Sequence, residues 1–378
     1  MKILVAGDYC PRERIAHMLE RKDYSFFDEI KEFISKADYS IVNFECPIVD
    51  GDVVPIKKSG PALRTTYNSV DAIRYAGFDC VTLANNHFRD FGDIGCITTL
   101  NELKKQNLDF VGGGENIKEA QQILYKNFSD KRLAIVNFCE NEFSIATENS
   151  SGAAPLDTVD NYCQITEARR NADYVLVIVH GGHELYQLPS PRMKKLYRYF
   201  IELGADAVVN HHQHCYSGYE YYKGKPILYG LGNFCFDKNG KCREIWNEGY
   251  FVTIEFWNSS PQISLYPYKQ CGSQPNVKIL KETELLKFYD KLEELNEIIS
   301  NDKLLDDSFL KWVENRRRNV LEIFGSYHNR YLNAAANRGW IPRPISIQEI
   351  GSMLNYVACE SHRDIVIKVL SMNLNKNE

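Results

Sequence analysis

Five of the nine histidines, His180, His183, His211, His212 and His214, fall within 35 residues, where an even spread would put fewer than one. Imidazole ligates transition metals and moves protons near neutrality, so a cluster this dense points to one of those two tasks. Oxygen donors stand at comparable places upstream. Asp8 follows KILVAG, Glu45 follows YSIVNF, and Asn86 with His87 follows DCVTLA, while His180 ends YVLVIV and His212 and His214 end DAVVN. One Asp after a strand is ordinarily a turn residue, and one His is ordinarily structural; the set is what points to a metal. Hard oxygens from Asp8, Glu45 and Asn86 with borderline imidazoles from His180, His212 and His214 suit Mn, Fe or Zn. Six protein donors exceed what one ion can take while keeping a position open for water, so they suit two divalent transition metal ions. Two ions about 3.5–4 Å apart clamp an in-line displacement and make hydroxide available at neutral pH. One carboxylate is expected to bridge them, and Glu45 is the choice.

These donors need elements that bring them to one place. Nine short apolar, β-branched runs read as strands: 2–7, 39–44, 79–84, 108–113, 132–138, 174–180, 206–212, 226–232 and 250–256. Helical patterns lie between several of them, over 14–37, 67–76, 94–106 and 192–203. The strands lack polar alternation, as strands covered on both faces do, which predicts an α/β class with a mainly parallel or mixed sheet. Ligands of open α/β sheets bind outside the carboxyl ends of the strands, where all six donors fall. Near 270–276 the composition turns to Gln, Gly, Ser and Pro, and three helical segments follow, over 278–300, 306–335 and 346–372. The chain is thus expected to divide into residues 1–275, carrying the site, and a helical appendage, 276–378.

The chain has 378 residues, 44% apolar and 25% charged, which excludes disorder and low complexity. Its net charge of −5 lacks the basic excess of a general nucleic-acid binder. No apolar run approaches the roughly 20 residues of a membrane span, and the first residues are too short for a signal peptide, so a cytoplasmic location is expected. Eleven cysteines, odd in number and without CxxC, argue for reduced, buried thiols instead of disulfides or a zinc ribbon.

GD at 7–8, NFE at 43–45, ANNHFRDFG at 84–92, VHGGHE at 179–184, GADAVVNHHQH at 204–214 and KGKPILYGLGNF at 223–234 resemble, in order, the signature blocks of the CapA family, bacterial capsule and poly-γ-glutamate synthesis proteins. That family is similar to the calcineurin-like metallophosphoesterases, a four-layer α/β/β/α sandwich with a dinuclear metal site. The resemblance implies Asp8 and His214 on the first metal, Glu45 bridging, and Asn86, His180 and His212 on the second, with His87 as general acid or transition-state stabiliser. Two departures stand out. Cys10 occupies the place of an imidazole in the phosphoesterase pattern, and Glu45 replaces its bridging Asp. Gly182 and His183 stand where the family tends to carry an aromatic residue.

The function expected is hydrolysis by metal-activated hydroxide of a phosphoester, or of an amide or glycan intermediate, in capsule or poly-γ-glutamate metabolism. The alternatives are a non-catalytic metal-binding component of a surface-polymer assembly complex and a general phosphodiesterase or phosphatase. Substrate would be an anionic small molecule or polymer, with Arg12, His183 and Glu184 as contacts; Arg12 and Arg14 read equally well as helix-surface residues. His211 reads as a residue that orients its neighbours or packs. Gly112–Gly114 without a following Lys-Ser/Thr reads as a turn, and Arg316–Arg318 as a solvated face. In the appendage Phe309, Trp312, Val313, Val320, Leu321 and Phe324 form one apolar stripe that either docks on the α/β core or makes a homo-oligomer contact. Arg330, Arg338, Trp340 and Arg343 are candidates to meet an anionic substrate.

Overall fold

The computed structural model describes residues 1–58, 60–240, 244–257, 260–323 and 329–342, with the backbone alone for 244 and 316–323. Met1–Asp306 forms one compact unit and a second begins at Asp307. The first unit is built on two stacked mixed sheets. In one, the order from an edge is Val277–Ile279, Gln262–Gln270, Glu248–Glu255, Lys2–Tyr9, Tyr39–Phe44, Cys80–Thr82 and Asp109–Val111, with Asn233–Cys235 also paired on Lys2–Tyr9. In the other the order is Tyr219–Tyr222, Lys225–Leu228, Ala207–His211, Tyr174–His180, Lys131–Cys139 and Leu124–Phe128. Helices Glu13–Glu20, Asp28–Ile34, Asn68–Ala76 and Gly92–Lys105 cover the first sheet, and Thr158–Asn171 and Pro191–Glu202 cover the second. The layers therefore run α/β/β/α, as the resemblance implies.

Side-chain alternation assigns each strand face. Leu4, Ala6, Val42 and Phe44 pack with Ile15, Leu19, Ile30 and Val70 under the helices, so Ile3, Val5, Ile41 and Asn43 point at the second sheet. Asn137 ties the sheets together: it accepts the Ala84 N–H at 2.9 Å and donates to Ile178 O at 3.1 Å. Gly112 has φ +86°, and a Cβ there would lie 2.0 Å from Asn137 Oδ1. The glycine run is thus a turn into the short strand Gly113–Gly114, as its sequence predicts.

Helix boundaries follow local chemistry. Asp157 caps Thr158–Asn171 by accepting from Val159 and Asp160, and Ser190 caps Pro191–Glu202 with Pro191 at its first turn. The single helix expected over 14–37 is instead two, because Lys22 takes φ +55° and a 3-10 turn, Ser25–Phe27, intervenes. The run expected as a strand over 226–232 is a strand only through Leu228; Leu231 then makes an isolated bridge to Tyr216 before the turn at Gly232, φ +82°. The strand at 277–279 joins the first sheet, and helix Glu282–Ser300 buries Phe288, Leu292, Leu295 and Ile299 within the first unit.

In the second unit, helices Asp302–Ile323, which begins just before it, and Arg330–Asn337 are described. Phe309 and Trp312 stack at 5.9 Å, while Arg330 and Arg338 lie over the rings of Tyr331 and Trp340. Phe324, Arg343 and the helical segment expected over 346–372 lie outside the described residues, as do the side chains of Val320 and Leu321. Among the described residues no helix is long and apolar enough to cross a membrane.

Candidate metal centre

The carboxyl ends of the parallel strands in both sheets meet at one rim. On strand Lys2–Tyr9 the register to Tyr39–Phe44 runs Ala6↔Val42 and then Asp8↔Asn43, so Gly7 is an extra, bulged residue. The bulge turns Asp8 from the helix side, where residues 4 and 6 point, to the side of Asn43. Only glycine fits at the bulge, since a Cβ on Gly7 would lie 1.9 Å from Gly232 O. Alternation past Phe44 then sends Glu45 into the rim and Cys46 into the helix-side core. From the second sheet, His180 and His211 are register partners on parallel strands and share a face toward the first sheet. His212 at φ +88° and His214 at φ +55° leave the strand direction, conformations that non-glycine residues adopt rarely and that cluster at functional sites.

Asp8, Glu45 and His214 each offer a donor atom within 4.8 Å of the others, and all three are buried. Asn86, His180 and His212 form a neighbouring trio: His180 Nε2 lies 3.1 Å from Asn86 Oδ1 and 3.1 Å from His212 Nδ1. Glu45 Oε1 stands between the groups, 3.6 Å from His214 Nε2 and 4.0 Å from His180 Nε2. Both Glu45 oxygens are buried without a hydrogen-bond partner among the described residues. Burial and then the Asp8 charge push the Glu45 carboxyl well above its ordinary value. Asp8 goes the other way: burial opposes its ionisation, but the facing His211 and His214 imidazoles, 3.4 and 3.6 Å away, outweigh it and hold the carboxyl well below the ordinary range. Burial and the neighbouring His212 pull His180 far down, and burial with His214 pulls His212 down to about 4. Neutral imidazoles beside unpartnered carboxylate oxygens fit a divalent cation, which would supply the missing electrostatic partner.

Outer contacts orient the donors. Asn43 Nδ2 donates to Asp8 Oδ1 at 2.7 Å, and Asn43 is held in turn by Thr82 and Asn85. Asn233 donates through Nδ2 to His214 O and Trp246 O, so its Oδ1 faces His214 Nδ1 at 2.9 Å. His87 Nδ1 lies 2.7 Å from Asp90 Oδ2, and Asp90 also pairs with Lys58 and accepts from Leu63 N at 2.7 Å. Burial lowers the His87 pKa, against the pull of Asp90, so the imidazole rests neutral at pH 7.

The six expected donors and His87 thus lie on one rim. Arg12 is not among them: it is half-buried beside Glu13 at 3.8 Å. Arg14 grips the buried Asp237 and the carbonyls of Cys271, Gly272 and Ser273, which makes it a clamp on the fold. His183 is half-buried and Glu184 exposed on the turn after His180. Cys10 packs in the helix-side core, where burial and a hydrogen bond to Cys46 push its thiol up. The sequence reading gave no role to Asn43, Asn233, Asp90, Lys58 or Glu142, whose Oε1 lies 3.9 Å from His212 Nε2. Asp90 carried a signal, three residues after His87 in ANNHFRDFG; Lys58 arrives on a loop with none.

Residues 2–238, which contain every candidate donor, match the family model of the bacterial capsule synthesis protein PGA_cap. The chain belongs to that family. It is 32% identical over 247 residues to the capsule biosynthesis protein CapA of Bacillus anthracis, covering 63% of this chain and 60% of that protein. It is 33% identical over 236 residues to the PGA biosynthesis protein CapA of Bacillus subtilis, covering 61% and 62%. The chain thus spans about three fifths of the length of these CapA relatives. Among solved structures, a phosphatase from Mycoplasma pneumoniae superposes with a TM-score of 0.47 at 13% identity, covering 77% of this chain and 98% of that one. That overlap is too loose to speak to activity.

Proposed function

We propose that this PGA_cap family member is a metal-dependent hydrolase of capsule or poly-γ-glutamate metabolism, holding two divalent transition metal ions. The observation that carries the reading is Glu45: a fully buried carboxylate with neither oxygen hydrogen-bonded, whose Oε1 faces both His214 and His180. Asp8, Glu45 and His214 would hold one ion, and Glu45, Asn86, His180 and His212 the other. Bound there, the ions supply Lewis-acid polarisation of the scissile group and activation of water. The chain's own residues do the rest. Asp90 accepts from His87 Nδ1–H and fixes the ring, so Nε2 is the atom at which a proton is taken up and released. Lys58 pairs with Asp90 beside the ring, its Nζ also 3.1 Å from His87 Nδ1, with a side chain almost as buried as its partner's. Asn43 and His212 N hold the two Asp8 oxygens in place. The substrate would be an anionic phosphoester, or an amide-linked or glycan intermediate of the polymer, approaching past His183 and Glu184. Arg12, turned to Glu13, is left out of this role.

The names of the two Bacillus relatives give biosynthesis and no reaction, which also suits a non-catalytic metal-binding component of a polymer-assembly complex. One comparison separates the readings: turnover of aryl phosphoesters and γ-glutamyl amides by the Mn- or Zn-loaded chain and by its His87→Ala variant. Turnover lost in the variant at equal metal content supports the hydrolase. Metal bound with no turnover in either protein supports the assembly component.

A further inference from the structure

We propose that His211 is a fourth donor to the first ion position, beside Asp8, Glu45 and His214, for a divalent transition metal. The inference rests on the metal-dependent reading above and adds a ligand to it. His211 is 2% exposed, and neither of its ring nitrogens has a hydrogen-bond partner among the described residues. A buried imidazole must place one N–H and one lone pair, so two unpartnered nitrogens mark a group whose partner is something other than protein. The ring sits where such a partner would be. His211 is the register mate of His180 on the neighbouring parallel strand and faces the same way, and its Nδ1 lies 3.4 Å from Asp8 Oδ1.

The count of donors allows it. Asp8, Glu45 and His214 give three protein ligands, and a fourth still leaves a position for water on a five- or six-coordinate ion. Cys10 is the other nearby candidate, and it is turned into the apolar cluster under the helices beside Cys46. Two carboxylates and two imidazoles make a mixed set that suits Zn or Mn.

The test counts imidazoles on the metal. In the full chain labelled with 15N-histidine and loaded with Zn, ring-nitrogen shifts separate metal-bound from free imidazoles, and His211 is identified through its own backbone amide. The proposal predicts four metal-bound histidines, His180, His211, His212 and His214. Three, with the His211 nitrogens unchanged by Zn, would overturn it while leaving the metal-dependent reading intact. No metal-bound imidazole at all would remove that reading itself. In parallel, His211→Gln should weaken one of two Zn-binding steps by about tenfold or more and spare the other. Equal weakening of both steps, or of neither, would contradict the assignment.

Discussion

Asn233 Oδ1 accepts from His214 Nδ1 at 2.9 Å, and that bond decides which nitrogen of His214 can bind a metal. Because Asn233 Nδ2 is committed to the carbonyls of His214 and Trp246, its oxygen is the group facing the imidazole. Nδ1 therefore carries the proton, and Nε2 presents its lone pair toward Glu45 Oε1. Replacing Asn233 by Leu removes the acceptor and should weaken binding of one ion by about 10–100-fold, the usual cost of losing such an orienting partner. Asn233→Asp, which keeps an acceptor oxygen, should lose less. Calorimetric titration with Mn would measure both, and equal affinities in all three proteins would contradict the orientation argument.

His87 and Asp90 lend themselves to a kinetic prediction. His87→Ala should retain the metal content of the wild type and lose about 10²–10⁴ in turnover, the range for general acid–base assistance. Asp90→Asn should lose turnover as well and, by removing the carboxylate that pairs with Lys58 and accepts from Leu63 N, also loosen the loop that carries them. Proteolysis within residues 49–65 would report the loosening, and a variant cut no faster than wild type would argue against the pinning.

A pH prediction follows from the two buried imidazoles. The folded chain holds His212 down to about 4 and His180 well below the ordinary imidazole range, both chiefly by burial. Each thus binds fewer protons folded than unfolded below pH of about 6.5, the ordinary histidine value. The stability that their neutral forms contribute is complete above that pH and is lost as pH falls toward about 4. With chelator present, the melting temperature should drop across this window, and His212→Gln should flatten the drop. A wild-type curve flat from pH 6.5 to 4.5 would count against it.

Asn137 predicts a stability effect independent of metal. It accepts the Ala84 N–H next to one sheet and adds a bond to Ile178 O within the other, so Asn137→Ala leaves the buried Ala84 N–H without its acceptor. The expected loss is about 1–3 kcal/mol. Denaturant unfolding of chelated protein measures it, and a change near zero would mean that the sheets are not held there.

Much of this could be read in the chain because strand patterning and donor chemistry coincide. The runs at 39–44 and 174–180 are strands with the bounds expected, since strands buried on both faces leave an unbroken apolar signature. That Asp8, Glu45, His180, His212 and His214 share one rim was legible because each stands at the end of such a run, where parallel strands bring their carboxyl ends together. The bulge at Gly7 was not, because a GD pair looks the same whether it bends the strand or ends it. Lys58 and Asn233 were hidden for another reason: they act through contacts 32 and 19 residues away in sequence, and spacing alone carries no sign of such partners. The break at Lys22 was missed because apolar residues on both sides keep helical period through a residue whose φ is positive.

The extent of the folded unit gives a further prediction. Helix Glu282–Ser300 buries four apolar side chains, and Asn296 Oδ1 accepts from Tyr219 N at 2.7 Å. A chain ending at 276 should therefore aggregate, whereas one ending at 306 should fold. Circular dichroism and size-exclusion chromatography would decide, and a soluble, cooperatively melting 1–276 fragment would contradict it.

The most direct test of the central claim is elemental analysis of the full chain, purified without chelator and after reconstitution with Mn, Fe or Zn. The account predicts up to two divalent transition ions per chain, falling toward one in His214→Gln and in His212→Gln, and toward none in Glu45→Gln because both positions share that carboxylate. Trace metal in the reconstituted wild type, or full metal retained by Glu45→Gln, would contradict it.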